Sequence, residues 1–213
     1  MSMLSCRALC LLVIVLYCVG VANANAANPQ AGFVAERLKR VHKIAGETVK
    51  NKVECEKVMK SAQDAARNAR AFVAGVKNSL QELAANPTEV ENKKKKGYEL
   101  IKKAMKAANK AETVCEKTHQ KAEDISQVID YVVDIAQEYG DSFRQQVDTL
   151  LTDTKMNMET IMTNAKGGAK EAEAESGKVH TAVMDVKGAV KEVEDAIKNL
   201  EAAVDAAKKK KNR

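Results

Sequence analysis

The chain reads as all-α, an elongated antiparallel three-helix bundle of the coiled-coil kind, on three observations. It contains two prolines and no Trp in 213 residues, with only 3% aromatics, while Ala, Lys, Glu and Val abound. That usage favours long helices, and the small side chains imply a thin core between closely spaced axes. Apolar residues recur in alternating steps of three and four over most of the length, as a coiled-coil seam requires. Strong breakers occur at Asn86-Pro87 and Gly140, dividing the chain into long arms.

The first helix is expected over about 30–85. Stepping from Val34 to Leu83 in fours and threes visits fifteen positions, and all but Thr48 and Lys52 are apolar. Lys, Arg, Glu, Asp and Asn occupy most positions between them. Pro87 cannot extend a helical hydrogen-bond ladder and drives Asn86 out of the helical region. Thr88 and Glu91 then form a capping-box pattern for a second helix over 88–139. Its stripe runs through Gly97, Ile101, Ala104, Ala108, Ala111, Cys115, Thr118, Ala122, Ile125, Ile129, Val132, Ala136 and Tyr139 without a charge. Gly140 is a natural C-cap, and Asp141 or Ser142 opens a third helix over 142–207.

That third segment is longer than the other two by roughly 14 residues, or about 20 Å of helix. Lys166-Gly167-Gly168 and Ser176-Gly177 weaken it, since each helical glycine costs about 1 kcal/mol relative to alanine. An interruption near 166–177 is therefore expected, leaving two pieces that together match the other helices. A continuous helix would instead leave Val193, Ile197, Leu200 and Val204 uncovered, as a seam for a homo-oligomer.

Residues 1–24 have the form of a secretory leader. Arg7 precedes an apolar run from Ala8 to Val21, and Ala22-Asn23-Ala24 fits the small-x-small rule for signal peptidase. Cleavage is expected after Ala24, with Ala26 as the second choice. The apolar run is shorter than the 18 to 20 residues that span a bilayer. No later segment reads as transmembrane, and the C-terminus lacks the hydrophobic tail of a lipid-anchor signal. The protein is thus expected to be secreted, or held at an extracellular surface by a partner.

Removal of the leader takes Cys6, Cys10 and Cys18 and leaves Cys55 and Cys115. In an oxidising compartment these two should pair. Both lie on apolar stripes, and folding the first two helices about Pro87 brings them level to within about 6 Å.

The formal charge of +6 is unevenly distributed. Residues 25–207 balance at 29 of each sign, and the tail 208–213 carries five cations. This is not the pattern of a nucleic-acid binder. In an up-down-up bundle, Lys93, Lys94, Lys95 and Lys96 meet Lys208, Lys209, Lys210 and Lys211 at one pole. Such a pole is a candidate docking site for a protein, an anionic glycan or acidic lipid headgroups.

Catalytic and metal chemistry find no support in the pattern. His42, His119 and His180 fall on different arms, and folding the third arm at Gly140 keeps them apart. Neither a metal set nor a Cys-His nucleophile pair is expected, and no cofactor motif occurs.

The leader Met1 to Ala24, followed by an Ala/Lys/Glu-rich three-helix layout, resembles the coat and secreted proteins of African trypanosomes. The nearest kinds are the alanine-rich and glutamate/alanine-rich stage-specific surface proteins, with the procyclin-associated proteins as a second possibility. The resemblance implies a coat, adhesion or receptor-like role without enzymatic activity. It assigns no functional residue, and the lipid-anchor signal usual in those coats is missing here. The rival class is an exchangeable amphipathic lipid carrier.

The intact mass of the secreted protein tests the leader and the cysteine pair together. The expected product starts at Asn25 and is lighter by two hydrogens before reduction than after it.

Overall fold

Residues 28–211 are described by a computed structural model. The leader, both of its candidate cleavage sites, and Asn212 and Arg213 lie outside the described residues. Five α-helices make up the bundle: α1 (Pro29–Asn78), α2 (Leu80–Ala84), α3 (Pro87–Leu150), α4 (Met158–Ser176) and α5 (Val179–Lys211). A 3-10 turn spans Thr152–Thr154. The described residues contain no strand. Three antiparallel arms result: α1 with α2, then α3, then α4 with α5.

The first hairpin closes as expected, with local differences. Ser79 leaves helical geometry where its hydroxyl donates to the Gly75 carbonyl at 2.8 Å, so the first arm breaks into α1 and α2. The capping residue of α3 is Asn86, whose side chain accepts from the Glu89 N–H, and not Thr88. Pro87 occupies the first helical position, where its missing N–H costs nothing and its φ is already suitable.

At the other pole the chain departs further from expectation. Gly140 takes φ 74° and ψ −162°, a conformation suited to glycine, but the chain only kinks there. Helix resumes at Asp141 and runs to Leu150, laying Phe143, Val147 and Leu151 against Ala31, Val34 and Leu38. Reversal comes at 151–157. Lys155 adopts the left-handed conformation, and the Thr154 hydroxyl donates to the Leu151 carbonyl at 2.7 Å. Asp148 accepts the Met158 N–H at 2.7 Å, and Asn157 caps α4 through the Thr160 N–H at 2.8 Å. The third arm therefore begins at Met158 and not at 142. The surplus length expected of it forms this pole.

The interruption of the third arm falls at its expected C-terminal edge, Gly177–Lys178, between α4 and α5. Lys166-Gly167-Gly168 stays helical, because Ala165, Ala169 and Ala172 on the same turns are buried against Val41, Ala122, Ile125 and Ile129. With 19 and 33 residues, α4 and α5 match the 50 and 5 of α1 and α2.

Cys55 and Cys115 are bonded, with Cα atoms 4.9 Å apart and both residues fully buried. The four-residue offset expected about Pro87 disappears because the hairpin turns about Ala85, thirty residues from each cysteine. Alanines flank the bond along both helices, among them Ala62, Ala66, Ala104 and Ala108. Thr118 is buried beside them and donates to the Val114 and Asn51 carbonyls, leaving no orphaned hydroxyl.

Ion pairs bind the third arm in register. Lys52 meets Glu171 at 3.0 Å, and Arg70 meets Asp185 at 2.6 Å and Glu192 at 3.5 Å. The hydrogen bond from Arg70 holds the Asp185 carboxyl below its ordinary range. Both side chains are over 40% exposed, so the pair adds little stability and serves register more than strength.

At Gly97, α3 approaches α5 closely. A Cβ there would lie 2.7 Å from Ile197 Cδ1 and 3.2 Å from the Phe72 ring. Gly97→Leu is expected to lower stability by about 1–3 kcal/mol through overpacking. Gly188→Ala, where a Cβ meets nothing within 4 Å, should raise it by about 0.5–1 kcal/mol. Urea denaturation of the two variants against the parent measures both. Replacing both cysteines by serine should cost up to about 4 kcal/mol, the loop entropy of a 60-residue closure, read in the same titration.

Candidate functional site

Both lysine runs lie toward the hairpin end of the bundle, with Lys93 to Lys96 set back from Lys208 by about 9 Å or more along the axis. Lys94 Nζ meets Glu201 at 2.6 Å and Gly97 faces Ile197, so α3 and α5 run antiparallel in a register that brings Lys208 level with Pro87. Lys95, Lys96 and Lys208 to Lys210 are exposed, and Lys93 is half-buried. Lys94 is half-buried and engaged: its hydrogen bond to Glu201 raises the ammonium pKa above the ordinary value. Tyr98 stands exposed beside the run. Residues 77–103 and 198–211 together carry twelve lysines against six carboxylates, so the pole is strongly basic.

The C-terminal stripe proposed as a seam between copies is already covered. Val193, Ile197 and Leu200 are at most 4% exposed in a core shared with Phe72, Val73, Val76 and Leu83 of the first arm. Val204 is half-buried on the same core. The first arm continues past Ser79 with Leu83 in this core, so the stripe is covered within the chain and not left open as a continuous third helix would leave it.

The histidines are placed differently from the expectation as well. Because the chain reverses at 151–157 and not at Gly140, α4 and α5 shift along the bundle, and His119 and His180 line one cavity of about 340 Å³. Glu112, Glu116 and the joint at Ser176-Gly177 complete its wall. His119 Nε2 lies 3.3 Å from Glu123, and Nδ1 lies 3.5 Å from the Ser176 hydroxyl. That line has the residue types of a nucleophile triad but not its bonding. The Ser176 hydroxyl donates at 3.0 Å to the Glu173 carbonyl, and its separation from His119 is too long for proton transfer. No group of three or more His, Cys, Asp or Glu suited to a metal ion exists among the described residues.

A second cavity, of about 530 Å³, lies open between α1 and α4. Ala45, Ile161 and Ala165 form its floor, with His42, Gly46, Val49, Asn164 and Gly168 on its walls. A Cβ at Gly46 would meet nothing within 4 Å, and one at Gly168 only Val49 at 3.9 Å. Val49 stands more than half exposed in its wall, and Val53, one turn further along α1, is more than half exposed as well. The seam arithmetic passed over this face because it follows only the buried stripe. The signal was nonetheless present: Gly46, Val49 and Val53 are uncharged at helical spacing outside that seam.

No protein-family model matches the chain, and no curated sequence matches it. Among solved structures it is similar to a computationally designed three-helix bundle, at 18% identity and a TM-score of 0.35, over 91% of this chain and 95% of that one.

Proposed function

We propose that this chain is a non-enzymatic extracellular docking protein, a coat, adhesion or receptor-like rod whose basic pole engages an anionic surface. The observation that carries this reading is the placement of both lysine runs, Lys93–Lys96 and Lys208–Lys211, toward one end of the bundle. Several exposed ammonium groups on a firm helical end attract sulfated glycan or acidic headgroups at about 1 kcal/mol per lysine near a charged membrane. The leader Met1 to Ala24 supports an extracellular setting. No helix among the described residues is long and apolar enough to cross a membrane.

The competing reading is an exchangeable lipid carrier, which requires the arms to part and expose their apolar faces. The Cys55–Cys115 bond ties the first two arms near mid-length, and the alanine-rich seam offers lipid little apolar area. Docking without opening is the reading the packing favours.

Retention on immobilised heparin and flotation with vesicles containing phosphatidylserine test the pole. The full chain should bind either or both and elute as salt rises. A variant with Lys93, Lys95 and Lys96 changed to Gln and residues 208–213 removed should lose most of that retention while keeping the parent's helical circular dichroism. Passage of the full chain without retention on both supports, or equal retention of the variant, would overturn the proposal.

A further inference from the structure

Charge on the flank of the rod is sorted by helix, although the body as a whole is nearly neutral. Between Lys39 and Lys60, α1 carries seven cations and three carboxylates. Between Glu112 and Asp141, α3 carries eight carboxylates and two lysines. These stretches lie at the same level of the bundle, since Lys121 meets Glu47 at 2.8 Å and Thr118 donates to the Asn51 carbonyl.

Spacing sharpens the contrast. Lys43, Lys50 and Lys57 recur every seven residues on the solvent side of α1, all exposed. Glu116, Glu123 and Asp130 recur every seven residues on α3, also exposed. Seven residues are about 10.5 Å of helix, so both ladders have one pitch. Among the described residues, none of these three lysines forms a salt bridge, and neither do Glu116 and Asp130. Glu123 has only the contact with His119.

We infer that the outer face of α1, with its lysine ladder, the open groove at Gly46 and Val49 and the exposed Val53, docks the acidic face of α3 from a second copy of this chain. Equal pitch lets three ion pairs form in register between two helices lying side by side, as charged flanks do in coiled coils. Gln120 and Gln127 lie on the same face of α3 and would cover Val49 and Val53 without burying a charge. Pairing of α1 with itself is disfavoured. An antiparallel arrangement about Lys50 sets Lys43 against Lys57 and Lys50 against Lys50 of the other copy. The contact joins two different faces, so each rod offers one donor and one acceptor flank and association continues sideways beyond a dimer.

Sedimentation velocity of the full chain at about 10 mM and about 500 mM salt is the test. Species larger than a dimer are expected at low salt, with reversion to monomer at high salt. Two variants extend it: Lys43→Glu with Lys50→Glu and Lys57→Glu, and Glu116→Lys with Glu123→Lys and Asp130→Lys. Each should stay monomeric alone, with the helical signal of the parent. An equimolar mixture should associate again, because the reversed ladders complement each other; that rescue also shows both variants to be folded. A parent that stays monomeric at low salt, or a mixture that does not recover association, would sink the inference. A third variant lacking residues 208–213 separates this contact from the basic pole. It should assemble as the parent does, and loss of assembly there would assign the association to the pole instead.

Discussion

Closeness of the helix axes governs the rest of the molecule. Cys55 and Cys115 sit with Cα atoms 4.9 Å apart, and the flanking alanines let α1 and α3 remain near one another along much of the seam. A core this thin has no interior volume in which to hide surplus chain. Each arm must therefore run the full length of its neighbours, and whatever exceeds that length must be placed at an end. The segment from Asp141 to Asn157 is that excess. It folds across the pole and covers the start of α1 with Phe143, Val147 and Leu151. The two-residue joint at Gly177–Lys178 is a second adjustment, letting α4 and α5 each keep their small residues inward.

Much of this was legible in the sequence, because coiled-coil packing is written as periodicity. The stripes from Val34 to Leu83 and from Gly97 to Ala136 identified the buried faces of the first two arms, whereas Tyr139, the last residue of the second stripe, is exposed. The cysteine pair followed from compartment and register together. Gly140 was harder to read, because a glycine at positive φ can end a helix or kink it with the same local signal. The choice between them depends on what the next turn packs against, here Val34 and Leu38, more than a hundred residues earlier. The true reversal has Lys155 at its left-handed position, where glycine or asparagine would have announced a turn. Placing the reversal at Gly140 displaced the whole third arm, which is why His119 and His180 were expected apart and why a continuous third helix was expected to leave Val193 to Val204 uncovered.

Charge follows a different logic from packing. The sum over the body approaches zero, yet the lysines of α1, the carboxylates of the lower part of α3 and the lysines of the hairpin pole occupy separate regions. Pairs within the chain, such as Lys52 with Glu171 and Arg70 with Asp185, hold arms in register at partly exposed sites where each is worth little. Among the described residues, most of the remaining charge faces outward without a salt bridge, and its distribution matters for encounters with other bodies rather than for the fold. Net charge conceals this distribution, which is visible only once the helices are placed beside each other.

The bond between Cys55 and Cys115 also makes a covalent ring of everything between them. The hairpin tip, Ala85-Asn86, and the run Lys93 to Lys96 lie inside that ring, whereas Lys208 to Lys211 lie outside it. A protease that nicks the tip leaves both fragments joined, and the inner lysines keep their place. A cut just ahead of Lys208, by contrast, separates the outer lysines from the bundle, because no bond beyond the main chain ties them to it. The basic pole thus has a half held by the ring and a half that a single cut releases.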